Sequence, residues 1–333
     1  KLNISVPGPS AINSELIKAS QTNSSPDVVL LVNSFDTMHV AAGSIVPLDE
    51  YADELYKDDW VVPWEDTGYY GGHKYLIPWD MRASVIYYRQ DLFEESGLTV
   101  PETWEELANT ASKLNTPDFS GFVMGLSTAE YGVQFVEGFT PMLMALGGKL
   151  FDKETNDPLF NSEEGVKAFQ TVYDLIYKYQ AMPEAVLGYH YNDVQTVMQL
   201  GRAAMMTLGT HRLETIRAGG LGEKVQIAPM PGYEGYDVPG PTNYMRWGFA
   251  LGANTPIDHR KPEYLEAAIE FIKWAKSIDA ELIMAEGGEI PARKSTWEDP
   301  RIKEKLSDFP TYSGIKTYLL EHGVDLYKPP KWQ

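Results

Sequence analysis

The sequence predicts an α/β protein of two lobes, and three observations carry that expectation. Short apolar or alternating stretches, rich in β-branched and aromatic residues, recur between amphipathic helical stretches along the chain, which is the pattern of strand–helix alternation. At 333 residues the chain is long for one compact core. It carries no tandem repeat, no low-complexity tract and no clean linker, so the lobes are expected to be interwoven rather than strung in series.

In chain order, Leu2 to Val6 reads as a strand and Ala11 to Ser20 as a short helix. Pro26-Asp-Val-Val-Leu-Leu-Val32 is an apolar run bounded by polar residues, the mark of a buried parallel strand. Met38 to Ala42 reads as a helix ended by Gly43, and Pro47 starts a new one. Lys74 to Pro78 and Ala83 to Tyr88 read as strands, and Asp91 to Ser96 as a short helix stopped by Gly97. Thr103-Trp-Glu-Glu106 has the form of a capping box, in which the Thr103 hydroxyl accepts from the Glu106 N–H and the Glu106 carboxylate reaches back to the N-cap N–H. It opens an amphipathic helix over 103–115. A second spans 162–180, with Val166, Phe169, Val172, Tyr173 and Ile176 at helical spacing. Gly121 to Ser127 reads as a strand, Phe139 to Leu146 as an apolar helix stopped by Gly147-Gly148, and Asn192 to Gly201 as a helix. The strand Ala203 to Leu208 follows, and Gly209-Thr-His-Arg212 leads into a further helix. Val225 to Pro229 and Trp247 to Leu251 are strands, and Glu263 to Ser277 is a long amphipathic helix with Pro262 near its first turn.

Composition bounds the partners. Twenty-eight basic against 47 acidic residues give a net charge of −19. That argues against nucleic acid, whose phosphates need a basic face, and against an anionic membrane surface. No apolar run approaches the roughly 18 residues of a membrane span. With no cysteine, disulfides, thiolate metal sites and cysteine nucleophiles are excluded, which fits a protein crossing an oxidising compartment. Aromatics make up 12% of the chain, with 20 Tyr and 8 Trp, and aromatic-lined clefts are one use for partly exposed rings.

The segment from Gly71 to Leu107 concentrates the chemistry. Between its two strands lies Trp79-Asp80-Met81-Arg82: a flat ring, an acceptor and a planar cation with five donors. That set suits a ligand with both hydroxyls and apolar C–H faces.

Seven pieces, in order across nearly the whole chain, carry a resemblance. They are Pro26-Asp-Val-Val, Ala41-Ala-Gly-Ser-Ile-Val-Pro-Leu, the segment holding Tyr87-Tyr-Arg-Gln-Asp-Leu-Phe and Thr103-Trp-Glu-Glu, Gly201-Arg-Ala-Ala-Met-Met, Ala228-Pro-Met-Pro-Gly, Trp247-Gly-Phe-Ala-Leu, and Gly287-Gly-Glu-Ile-Pro-Ala-Arg-Lys-Ser. On these the chain resembles the extracellular solute-binding proteins of ABC importers, family 1, in the maltose-binding-protein-like branch that takes sugars and oligosaccharides. The resemblance implies the type II periplasmic-binding-protein fold, with two interwoven α/β lobes, hinge strands between them and ligand in the interlobe cleft. It implies crossings near Tyr87 to Asp91, Arg246 to Phe249 and Ile290 to Ser295. Lobe one is then 1–87 plus 249–291 and lobe two 88–248 plus 292–333. The family's first strand and helix have no counterpart before Lys1, and relatives continue into final helices beyond Gln333, so the chain is expected to be trimmed at both ends.

The function implied is reversible capture by hinge closure and delivery to the membrane permease subunits of an ABC importer. No enzyme activity, cofactor or metal is expected. The protein is expected to be a monomer in the periplasm or outside the cell, free or held by a lipid anchor.

The expected ligand contacts are Trp79 as a stacking ring, Asp80 and Arg82 as acceptor and donor, and Trp247 with Arg246 and Tyr244 at the second crossing. They continue with His211, where many relatives carry a Trp, with Phe35 and Asp36 beside Ser34 after the strand at 28–32, and with Tyr70 and Gly288. Each has a plainer reading: a surface turn with a local ion pair for 79–82, a packed hinge strand for Trp247, a satisfied structural histidine for His211, a helix N-cap for Asp36. Tyr69, Tyr70, Tyr131 and Phe139 are weaker candidates, and each has core or rim packing as its plainer reading. Arg82, His211 and Arg246 together raise an acidic sugar as a sub-hypothesis. Asp152-Lys-Glu-Thr-Asn-Asp157 has the oxygen density of a calcium loop without the glycine and distal Glu, and reads as a solvated turn. Asn3-Ile-Ser5 and Asn23-Ser-Ser25 are bare sequons. Two rival functions are a glycoside hydrolase pairing Asp80 with Glu286 or Asp36, and an iron binder using Tyr69-Tyr70 or Tyr87-Tyr88, whose neighbouring rings a strand would point to opposite faces.

Overall fold

The computed structural model describes residues 3–5, 9–32, 35–128, 133–152, 154–244, 247–254 and 262–324. They form two compact units, and each unit is assembled from separate stretches of chain. Unit one takes in the described residues of Lys1–Met81 and Arg246–Ser307; unit two takes in those of Arg82–Met245 and Asp308–Tyr327. The interwoven organisation is therefore present, but the chain changes unit at 81/82, 245/246 and 307/308, not at 87/88, 248/249 and 291/292. Strand pairing explains the difference. Ser84–Arg89 is hydrogen-bonded along its length inside unit two, and Trp247–Gly252 along its length inside unit one, so neither strand is a crossing. Ile290 to Ser295 stays in unit one, where Ile290 bridges Met81 and the Val61 N–H donates to the Ala292 carbonyl.

In unit one the central strand is Trp247–Gly252. It pairs antiparallel with Val28–Val32 from Val28↔Leu251 to Val32↔Trp247, and antiparallel with Ile45–Val46 and Ile77–Pro78. The buried parallel strand expected at 26–32 is thus antiparallel, and only Val29 and Leu31 of Val28–Val32 are buried. They pack with Leu16 of the helix Pro9–Gln21, Ile45, Leu76 and Ala250. One-sided burial is what an antiparallel sheet permits. The strand expected at 74–78 is broken into His73–Lys74, paired with Tyr69–Tyr70, and Ile77–Pro78. Lys74 is fully buried between them, its ammonium donating to the Trp64 and Thr67 carbonyls at 2.8 and 2.5 Å. Asn3–Ser5 hold no strand, and the rest of the strand expected at Leu2 to Val6 lies outside the described residues.

Unit two has a sheet in the order Ser120–Val123, Ala203–Gly209, Ser84–Arg89, Val225–Ala228. The first pair is parallel and the others antiparallel. Every residue of Ala203–Gly209 is buried, so its all-apolar middle needs no alternation. The helix Trp104–Leu114 lies on Ser120–Val123 and brings Trp104 to 6.3 Å from Phe122, ring centre to ring centre. At its start Thr103 Oγ1 accepts from the Glu106 N–H at 3.2 Å as expected, but Glu106 reaches back to the Glu102 N–H.

Gly121 sets how close that helix comes. A Cβ there would sit 1.9 Å from the Ala111 carbonyl oxygen. Gly121→Ala is expected to destabilise the protein by about 1–3 kcal/mol, the usual cost of overpacking, read as a lower denaturant midpoint at unchanged slope.

The helix Glu163–Tyr177 faces differently from expectation. Val166, Phe169 and Tyr173 are 60%, 44% and 56% exposed, while Gly165, Ala168, Val172, Leu175 and Ile176 are buried. The small residues let the helix lie close to the unit, and Phe169 instead covers the buried Phe139, 4.3 Å away, beside Phe135 at 5.7 Å. Asp152 makes the turn expected of it, its Oδ1 accepting from the Glu154 and Thr155 N–H groups.

Candidate functional site

Antiparallel pairing gathers three segments of unit one at one end of its sheet. Val28–Val32 and Ile77–Pro78 both run against Trp247–Gly252, so their carboxyl ends lie at its amino end. Phe35 and Asp36 follow the first, Trp79 and Asp80 follow the second, and Trp247 stands opposite Val32. Ligands of open α/β sheets sit beyond strand carboxyl ends.

The sequence singles out these residues one by one; the fold joins them. The Trp79 N–H donates to the Trp247 carbonyl at 2.8 Å, and the Trp79 ring, partly exposed, lies 5.3 Å from that of Phe249. Asp80 is fully buried and its Oδ1 accepts from the Trp247 N–H at 3.1 Å, so it orients Trp247 rather than standing open to a hydroxyl. Asp36 is 1% exposed; Oδ1 accepts from the Thr37 N–H at 2.7 Å and Oδ2 from the Tyr70 hydroxyl at 2.6 Å. The helix Asp36–Ala41 takes Asp36 as its first residue, with Phe35 at the N-cap. Phe35 is buried at 5% exposure. Gly288 is buried with φ +83°, a conformation that favours glycine, but its N–H is turned to the Ala285 carbonyl.

One residue behind this cluster had no signal in the sequence. The Lys276 ammonium, buried beyond the helix Pro262–Ala275, donates to the Trp79 carbonyl and pairs with Glu281 at 2.5 Å. A lysine at the end of an amphipathic helix reads as solvated, and only the packing shows it inside.

Unit two repeats the arrangement. Ser120–Val123 and Ala203–Gly209 end at the edge where Ser84–Arg89 begins, with Ser84 opposite Gly209. Arg82 precedes that strand, and the single turn Thr210–Arg212 follows Ala203–Gly209. His211 is partly buried with Nδ1 unpartnered, and its pKa is held well below the usual value by burial first and then by the Arg82 and Arg212 charges. Its ring is therefore neutral at pH 7. A recess in the same unit is lined by Ser84, Gly125, Glu137, Tyr191, Thr207 and Leu208. Tyr191 and Arg212 escaped the sequence reading of single residues: Arg212 lies within the quartet that drew attention to His211, whereas nothing local marks Tyr191. Tyr244 belongs to the scaffold, its hydroxyl donating to the Leu319 carbonyl at 2.7 Å. Arg246, Ser34 and Tyr131 lie outside the described residues.

The rival sites are occupied by other work. Asp80 and Asp36 are buried and bonded as above, and Glu286 is paired with Lys305. Tyr87 is buried and donates its hydroxyl to the Gly209 carbonyl at 2.7 Å; burial pushes its pKa well up, which disfavours the phenolate an iron site needs. Among the described residues no group of three or more His, Cys, Asp or Glu side chains could hold a metal ion, and no helix is long and apolar enough to cross a membrane.

A two-unit α/β chain with aromatic and polar residues gathered at sheet ends defines a ligand-binding protein of the periplasmic-binding class. The chain belongs to the bacterial extracellular solute-binding protein family, whose model matches residues 1–281. It is 24% identical over 286 residues to the maltotriose-binding protein of Pyrococcus abyssi, covering 84% of this chain and 57% of that one. It is 24% identical over 316 residues to the arabinooligosaccharide-binding protein of Halalkalibacterium halodurans, covering 91% and 66%. The chain thus spans less than two thirds of the length of these curated relatives. Among solved structures it is similar to maltose-bound T. maritima MalE3, with a TM-score of 0.82, 25% identity, and 96% and 79% of the chains covered. It is similar also to an Agrobacterium radiobacter K84 solute-binding protein in complex with ribitol, with a TM-score of 0.81, 26% identity, and 98% and 82% covered. The fold is therefore that of the maltose-binding-protein-like binding proteins, and neither rival function finds support among these relatives.

Proposed function

We propose that this chain is the substrate-binding component of an ABC importer, which captures a sugar, polyol or oligosaccharide reversibly and delivers it to membrane permease subunits. The observation that carries the reading is the convergence of Trp79, Trp247 and the Asp36–Tyr70 pair at the carboxyl end of the unit-one sheet. The ligands named for its relatives, maltotriose, arabinooligosaccharide and maltose among them, support the same chemistry. In this reading Trp79 and Trp247 stack on the apolar faces of sugar rings. Asp80 and Lys276, through the Trp247 N–H and the Trp79 carbonyl, position the two tryptophans, and Asp36 positions Tyr70, while Tyr70, Arg82 and His211 meet hydroxyls. Capture needs no covalent step, and the protein works as a monomer outside the cytoplasmic membrane.

A thermal-shift and calorimetric screen over mono-, di- and oligosaccharides and polyols tests this. A true ligand at 100-fold excess over its Kd adds about 2.7 kcal/mol of stability; silence across the whole screen would overturn the substrate class. Trp79→Ala and Trp247→Ala are each expected to weaken binding roughly ten-fold, the loss of about 1.4 kcal/mol of ring contact, with unfolding midpoints little changed. Affinities equal to wild type would remove these rings from the site. Incubation with the bound oligosaccharide should release no new reducing ends, and steady cleavage would replace capture with catalysis.

A further inference from the structure

Among the described residues, the buried cations Lys276, Arg293 and Arg217 are paired with carboxylates, Lys276 with Glu281, Arg293 with Asp59, and Arg217 with Glu214 and Asp308; Arg212 is only partly buried. Arg212 is different. Its side chain makes no ion pair and no hydrogen bond among the described residues; its Nε is buried without an acceptor, and the guanidinium lies 5.0 Å from the centre of the Tyr191 ring. A guanidinium N–H buried without an acceptor is costly to keep. The neighbouring His211 Nδ1 is likewise buried and unpartnered. Both follow the carboxyl end of Ala203–Gly209, and Tyr191 also lines a recess with Ser84 and Thr207.

We propose that Arg212, seated on Tyr191, binds an anionic substituent of the ligand, the carboxylate of a uronic acid or the phosphate of a sugar phosphate. The proposal rests on the sugar-binding reading above and narrows its substrate class. Arg212 supplies the planar donors, and the neutral His211 ring adds one more donor or acceptor. Glu137 lines the recess too.

The test is calorimetry on the full chain with two matched pairs, galactobiose against digalacturonate and glucose against glucose 6-phosphate. At least one anionic member is expected to bind ten-fold or more tighter than its neutral parent. Arg212→Gln is expected to erase that preference while leaving affinity for the neutral parent within two-fold. Arg212→Lys separates the sources: a lysine keeps much of a phosphate preference and loses more of a carboxylate one, whose planar pairing needs the guanidinium fork. Neutral members binding as tightly as their anionic partners would overturn the proposal and leave the sugar reading standing. So would a preference that survives Arg212→Gln. If none of these probes binds and the neutral screen is also silent, both readings fall together.

Discussion

Lys276→Met is expected to cost about 3–5 kcal/mol of stability, the penalty for removing one partner of a buried ion pair. Lys276 and Glu281 are each 1% exposed, with Nζ and Oε1 2.5 Å apart. Glu281 also accepts from the Thr296 hydroxyl at 2.5 Å and the Ala292 N–H at 3.3 Å. Without Lys276 its carboxylate stays inside the protein on two neutral donors, and the Trp79 carbonyl loses the ammonium that holds it. The Lys276 carbonyl itself accepts from Arg293, whose guanidinium is fixed by Asp59 and stacked 3.7 Å from the Tyr56 ring centre. Chemical denaturation at pH 7 reads the loss, and a change below about 1 kcal/mol would show the pair to be dispensable. The double variant Lys276→Met/Glu281→Leu is expected to recover much of the stability, since an apolar pair removes the stranded charge. It is not expected to recover sugar affinity, because no ammonium then steadies Trp79. That separation of stability from binding distinguishes a positioning role from a purely structural one.

His39 is expected to make the protein acid-sensitive in a defined window. Its ring is fully buried, with Nδ1 2.8 Å from the Ser44 hydroxyl and Nε2 3.0 Å from the Asn13 amide oxygen. Burial lowers its pKa from 6.5 to about 4. Hydrogen-bond partners are at hand for either protonation state, so the cost of charging the ring is desolvation. The folded state holds this proton more weakly than the unfolded chain does. Stability is therefore complete above about pH 6.5, falls as the pH drops, and levels off below about pH 4. The loss is about 2 kcal/mol between pH 7 and pH 5 and about 3 kcal/mol in full. Urea midpoints across that range should fall more steeply for wild type than for His39→Gln; superimposable profiles would show that His39 does not drive the loss. His211, lowered in the same direction, adds to the slope in both proteins, so their difference isolates His39.

How far residue patterns reach is visible element by element. Strand–helix alternation and the absence of a linker are local and compositional features, and the two-unit α/β organisation they imply is present. The strands Ala203–Gly209 and Trp247–Gly252 and the helix Gln90–Ser96 stand where their patterns put them, within a residue or two. Pairing partners are not written in the pattern. An apolar run such as Val28–Val32 reads alike whether its neighbour is parallel or antiparallel, and only the partner strand decided it. The helix Glu163–Tyr177 misleads for a related reason: its large apolar residues mark one face, yet the small ones, Gly165 and Ala168, allow the closer approach and face inward.

The candidate site divides the same way. The residue types at 79–82, at 35–36, at 247 and in the quartet 209–212 are legible as sugar-binding chemistry because rings, carboxylates and guanidinium groups announce what they can bond. Which of them is open to a ligand is a matter of packing. Asp80 and Asp36 are spent inside the protein on Trp247 and Tyr70, Tyr244 is spent on Leu319, and Lys276, silent in the sequence, is drawn under Trp79. By itself the sequence determined the class of fold, the family and the chemical vocabulary of the site, because those depend on residue type and order along the chain. The tertiary structure alone decided where the chain changes unit, which strands pair and which polar groups keep a free hand. Those outcomes depend on contacts between residues more than a hundred positions apart, such as Asp80 with Trp247, and no local pattern encodes them.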